Sequence, residues 1–333
     1  MRPQNGLRHV RRARSGVAAA LTSVTVRPLT AVIPNNRSGV LFTRWLVAGG
    51  LRIAGPALPG SRIRPLARTS AGGFGVRGEW VRGPGVRRDD AVIFYLHGSG
   101  FAVCSARTHR GLTTRLSEGT GLPAFACDYR LAPRHRFPSA ADDVRAAYDW
   151  LVDQVGAPER ILLAGDSAGG HLAVDLTLQL LREGRAAPAA LALFSPLFDV
   201  TLSLAADRER MRRDPMVSAA RAARLVGLYT KDADPRSPRL RLSADAVSAF
   251  PPTLIQAGGR EMLAADAIEL ARTLRRSGAD CELDIVPGQM HVFQALSRVV
   301  PEAGPALKRA CHFLGTHTPA DLPLRLAASQ EAS

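Results

Sequence analysis

Aromatic residues are scarce, at 5% of this 333-residue chain. Lysine is nearly absent, with Lys231 and Lys308 against a background of arginine. Cysteine occurs four times, as Cys104, Cys127, Cys281 and Cys311, and no two form a C-x-x-C pair. Each shortage excludes something. Few aromatics leave Leu, Val, Ile and Ala to build the interior. The cysteine spacing fits neither a zinc site nor a disulfide framework, so small buried thiols in a reducing compartment are expected. No apolar run is long enough to span a bilayer; the stretch 16–33 is broken by Arg27 and Pro28. Its apolar part is weak and rich in Thr and Ser, with no clear small-x-small cleavage site, so it is not read as a signal peptide. There is no internal repeat and no low-complexity tract.

The formal net charge is +15. Alone, that suggests an anionic partner such as nucleic acid. The arginines are spread along the chain, however, with one local cluster at Arg2, Arg8, Arg11, Arg12 and Arg14. A GC-biased genome accounts for such an excess. The expectation is a soluble cytoplasmic protein with no nucleic-acid partner, whose basic arm touches anionic lipid weakly at most. With 46% hydrophobic residues, the chain has enough apolar material for one large core.

Residues 1–62 show no strand pattern and read as a basic arm followed by one or two short helices. Apolar residues at helical spacing over 40–53 are interrupted by Gly49 and Gly50. From residue 63 strand and helix signals alternate. Stretches 63–69 and 76–81 suggest an antiparallel pair. Short apolar runs at 91–96, 122–127, 160–164, 189–194, 253–256 and 281–286 suggest buried strands. Helices are expected over 139–155, 168–183, 264–277 and 303–314. This alternation predicts an α/β fold with a mostly parallel sheet flanked by helices, over residues 63–317. The charge-rich segment 201–249 sits where a lid or insertion would cover a site, and 318–333 reads as a loose tail.

Three strings carry chemistry. Gly165-Asp166-Ser167-Ala168-Gly169 is a G-x-S-x-G placed after a buried strand and before a helix. A sharp turn there lifts the Ser167 hydroxyl above the sheet, and Gly165 and Gly169 avoid collisions with neighbouring backbone. His97-Gly98-Ser99-Gly100 follows the strand at 91–96. Its glycines leave backbone N–H groups open, so Ser99, Gly100 and Ala168 are the candidate donors to an oxyanion. His97 reads as a loop organiser, supported by Gly98. His291, in the loop after 281–286, is the candidate base, because a serine hydroxyl needs an imidazole to remove its proton. His171, His312 and His317 fall in or past helices. Glu261, just after the strand at 253–256, is the candidate acid. Asp266 is its rival, expected as a surface or supporting charge, and Asp284 lies inside a strand.

In this order the strings resemble the bacterial hormone-sensitive lipase family of α/β hydrolases. The resemblance runs from about 63 to 316 and rests on YLHGSGF, DYRLAP, GDSAGGHLA, SPLFD and MHVFQ. It implies an α/β-hydrolase fold with an N-terminal helical cap and a serine carboxylesterase without metal or organic cofactor. Short to medium acyl esters would be the substrates. A homodimer is compatible with it. Hydrolysis of another acyl group (lactone, amide, carbamate or natural-product intermediate) is the alternative. A non-catalytic small-ligand receptor is a further one, although such receptors lack the histidine. Two departures stand out: Ser99 replaces a glycine of the family's HGGG string, and Arg134 replaces the glutamate that follows DYRLAP. Glu261 matches the glutamate variant of the family's acid.

Overall fold

The computed structural model describes Arg27 and residues 37–68, 75–244 and 249–319. Helix α1 (Arg37–Ala54) leads into strands β1 (Arg62–Arg68), β2 (Val76–Arg82) and β3 (Val92–Leu96). Then follow α2 (Arg110–Thr120), β4 (Ala124–Cys127), α3 (Ser139–Val155), β5 (Ile161–Asp166), α4 (Ala168–Arg182) and β6 (Ala190–Phe194). The chain closes with α5 (Ser203–Met211), α6 (Ala219–Thr230), β7 (Thr253–Gly258), α7 (Ala264–Arg276), β8 (Cys281–Val286) and α8 (Ala303–Thr316). The eight strands form one sheet in the order β1-β2-β4-β3-β5-β6-β7-β8. β2 is antiparallel to both β1 and β4, and every later pairing is parallel. This is the α/β-hydrolase fold.

The continuous apolar strands follow from burial on both faces. In β3, Val92, Phe94 and Leu96 join one core cluster while Ile93 and Tyr95 join the other. Helices α3, α4 and α7 cover the first face. Helices α2 and α8 cover the second, through Leu112, Leu116, Leu307 and Phe313. β1 is the exposed edge, where Pro65 costs no interior ladder bond.

Three stretches show more than the sequence pattern did. Of the one or two short helices expected there, α1 is one, 18 residues long and unbroken through Gly49 and Gly50. Its inner face packs Val47 and Leu51 on the core, and this packing outweighs the low helix propensity of glycine. α2 gave no signal because its buried face is rich in hydroxyls. Thr113, Thr114 and Ser117 are fully buried. The Thr114 hydroxyl donates to the Arg110 carbonyl (2.6 Å) and the Ser117 hydroxyl to the Leu122 carbonyl (2.6 Å). The segment 201–249 is more regular than its composition suggests, since it contains α5 and α6. The basic arm at 1–26 and most of the C-terminal tail lie outside the described residues. All four cysteines are buried free thiols.

Candidate active site

The turn from β5 into α4 holds Ser167 at a positive φ, with φ 51° and ψ −120°. Few non-glycine residues accept this geometry, so the surroundings must impose it. The Ser167 N–H donates to the Phe194 carbonyl (2.9 Å), and the Ser167 carbonyl accepts from Leu197 N–H (2.9 Å). The neighbouring glycines are required sterically. A Cβ on Gly169 would sit 2.0 Å from the Leu96 carbonyl oxygen, and one on Gly165 would sit 2.7 Å from that of Gly169.

Three side chains distant in sequence meet above this turn. His291 Nε2 lies 3.1 Å from Ser167 Oγ. The other ring nitrogen, Nδ1, lies 2.5 Å from Glu261 Oε2. The second carboxylate oxygen of Glu261 accepts the Gly258 N–H (2.6 Å) and the Ser195 hydroxyl (2.8 Å). Glu261 is fully buried, at the carboxyl end of β7. Burial opposes a charge on His291, but the Glu261 carboxylate outweighs it and raises the imidazole above its ordinary value. The Ser99 and Gly100 peptides follow β3 with φ of 76° and 61°, and Ala168 opens α4, where N–H groups lack an intrahelical acceptor.

A family model described as "alpha/beta hydrolase fold" matches residues 93–295. An acetyl-hydrolase of Streptomyces hygroscopicus is 36% identical over 241 residues, covering 72% of this chain and 80% of that protein. The carboxylesterase/phospholipase LipF of Mycobacterium tuberculosis is 37% identical over 244 residues; the alignment covers 70% of this chain and 65% of LipF. The crystal structure of an esterase from the bacterial hormone-sensitive lipase family superposes with a TM-score of 0.80 at 31% identity, covering 90% of this chain and 98% of that one. The chain belongs to the α/β-hydrolase fold family. Within it, this hydrolase sits in the bacterial hormone-sensitive lipase family.

Behind the Ser167 turn of the hydrolase lies a buried polar layer. Asp166 accepts the Tyr95 hydroxyl (2.5 Å) and the Gly98 N–H (3.1 Å), and pairs with His109 at 3.4 Å. Burial works against both charges, but each partner outweighs it: His109 is raised and Asp166 lowered. His97 is different. Burial, with His109 nearby, drives it down to about 3, so it is neutral. Its ring stacks on Tyr129 (centroids 4.2 Å apart), whose hydroxyl donates to the His97 carbonyl (2.5 Å). These contacts fit a loop organiser. The Ser99 hydroxyl turns to Cys104 Sγ (2.9 Å).

The rival acid is not where surface charge would be. Asp266 is fully buried, and its Oδ1 accepts the Phe198 (3.0 Å) and Asp199 (2.9 Å) N–H groups. Its place in the first turn of α7 turns it toward the loop after β6 instead of solvent. Asp284 stays on β8, 3.7 Å from Arg309. His171 is buried in α4 against the Arg239 carbonyl (3.0 Å), and burial lowers it to about 4. His312 and His317 lie in and just past α8. Arg134 is exposed, while Arg130 holds the same loop through an ion pair with Asp143 (2.7 Å).

Sequence reasoning missed Ser195, Asp214 and Arg208. Ser195 bridges Glu261 to the Val292 N–H (3.0 Å), tying the acid to the His291 loop. Its signal was its place at the carboxyl end of β6, on the same rim as Ser167 and Glu261. Asp214 accepts the Met262 N–H (2.8 Å), and Arg208 donates to the carbonyls of Glu261 (2.8 Å) and Gly259 (2.9 Å). The α5–α6 segment thereby clamps the acid loop.

Proposed function

We propose that this hydrolase is a serine carboxylesterase acting on short to medium acyl esters through an acyl-enzyme. One observation carries the reading: the run of contacts from Ser167 Oγ to His291 Nε2 (3.1 Å) and from His291 Nδ1 to Glu261 (2.5 Å). Ser167 attacks the ester carbonyl as His291 takes its proton. Glu261 holds the ring in the tautomer with its proton on Nδ1 and stabilises the imidazolium. The Ser99, Gly100 and Ala168 N–H groups receive the oxyanion, each worth about 10²–10³ in rate. His291 then protonates the departing alcohol. Water, deprotonated by the same imidazole, releases the acid and restores the Ser167 hydroxyl.

In this reading α1 and the 201–249 segment form the cap over the site. Leu225 of α6 supports that, since a Cβ on Gly100 would lie 2.8 Å from its Cδ2. A narrow space at the oxyanion loop favours small acyl groups. The partner is a small ester and no cofactor is needed. Free buried thiols favour a cytoplasmic setting.

The test is Ser167→Ala with p-nitrophenyl acetate and butyrate. Hydrolysis should fall by about 10⁴-fold or more, and labelling by a fluorophosphonate should disappear. Retained turnover in that variant removes Ser167 from the mechanism. A parent protein that neither turns over esters nor takes the label would instead favour a receptor.

A further inference from the structure

The charge of this chain is concentrated at one end. Residues 1–78 contain thirteen arginines and no Asp, Glu or Lys, which leaves only +2 for the remaining 255 residues. Within that region α1 presents an unusual outer face. Leu41, Phe42, Trp45 and Ile53 are 55%, 46%, 71% and 70% exposed. At 3.6 residues per turn they fall within about 120° of one side of the helix. Arg52, also exposed, lies on the same side. The Phe42 and Trp45 rings stack on each other at 6.0 Å instead of folding onto the core. Water is a poor environment for four large apolar side chains on one side of a helix.

The helix is also bound to both halves of the candidate site. Arg44 donates to the carbonyls of Ala102 (2.9 Å), next to the oxyanion loop, and Ala132 (3.1 Å). At its other end the Ala54 carbonyl accepts the Arg298 N–H (2.9 Å), a few residues beyond His291. Leu41 and Arg44, with Val40, Pro133 and the exposed Arg134, line an open groove of about 480 Å³. Apolar walls with a cation at the surface suit an acyl chain beneath a phosphate.

We propose that α1 docks this protein on an anionic phospholipid bilayer, with Leu41, Phe42, Trp45 and Ile53 entering the interface and Arg52 facing the headgroups. An aromatic and aliphatic stripe whose described charge is cationic is what interfacial helices use. Charge complementarity selects this occupant. A second copy docking through the same face would offer Arg52 no acidic residue of α1 to pair with. Docking would hold the site at the source of lipid esters, but membrane binding does not depend on catalysis.

The experiment is co-sedimentation of the full chain with vesicles of phosphatidylcholine alone or mixed with phosphatidylglycerol. The same assay is run on Phe42→Ser/Trp45→Ser, on Arg52→Glu and on Ser167→Ala. Binding is expected only to the mixed vesicles, weakening as salt rises. The double variant should lose at least about tenfold in binding while hydrolysing p-nitrophenyl acetate at the parent rate. Arg52→Glu should bind more weakly, and Ser167→Ala should bind like the parent. Equal binding by the double variant, or equal binding to phosphatidylcholine alone, overturns the proposal. So does a parent dimer that the double variant converts to a monomer, which would make the face a self-interface. So does Trp45 shielded from acrylamide before vesicles are added, which would mean the chain covers the face itself.

Discussion

In the proposed mechanism His291 must be neutral to accept the Ser167 proton, so its titration would set the acid side of the activity profile. Burial disfavours its charge, but the Glu261 carboxylate at 2.5 Å more than compensates, and the proton is held above the ordinary 6.5. The acid limb of kcat/KM is therefore expected above pH 6.5, with activity rising as the imidazole loses its proton. Glu261→Gln removes the charge that raises it. The limb should then move to lower pH, and the plateau should fall by about 10²–10⁴-fold because the ring loses its orienting anion. Initial rates with p-nitrophenyl butyrate across the pH range, for both proteins, read the two effects separately. An unmoved limb in the variant would assign it to another group. Asp214 is the one to examine then, since its field also reaches His291.

At the scale of elements, the site depends on how closely α4 approaches β3. Gly169 sits where a Cβ would come within 2.0 Å of the Leu96 carbonyl and 2.6 Å of the His97 carbonyl. Both obstacles are backbone, so no rotamer relieves them. Gly169→Ala should push the start of α4 away from the sheet, destabilise the protein by about 3 kcal/mol and displace the Ala168 N–H. A lower urea midpoint together with lost esterase activity is the expected result; a midpoint equal to the parent's would contradict the packing. This same closeness made the element legible, because a G-x-S-x-G between an apolar run and a helix has few other physical uses. β3, β5, β6 and β7 were readable for a related reason: burial on both faces leaves no polar alternation. α2 was hidden because hydroxyls that bond back to the helix satisfy its buried face without an apolar stripe. α5 was hidden by its own charge, and α6 by the charge-rich, irregular segment around it. Of the site, the three converging side chains stood in recognisable strings. Ser195 and His109 did not stand out, because a supporting residue is defined by a partner far away in sequence.

For the whole molecule, stability against pH is a contest between buried groups of opposite sense. His97 and His171, lowered by burial to about 3 and about 4, make the fold weaker as pH falls, since the unfolded chain takes up protons first. Asp266 acts the other way. Burial, with Asp199 nearby, raises its carboxyl from 3.8 to about 7, against the pull of the Phe198 and Asp199 N–H groups. Between those values the unfolded chain has released the proton and the folded chain keeps it, so stability drains away as pH rises and levels off above 7. Asp266→Asn keeps an oxygen to accept both N–H groups and can never ionise. The variant should therefore match the parent near pH 4 and exceed it increasingly up to pH 8, by at most about 4 kcal/mol. His291, beside Glu261, and His109, beside Asp166, also lose stabilising charge as pH rises, but they do so equally in both proteins. The difference in urea midpoint isolates Asp266. A constant difference across that range would mean Asp266 is ionised throughout, and that the loop after β6 meets α7 through a charge instead of a protonated acid.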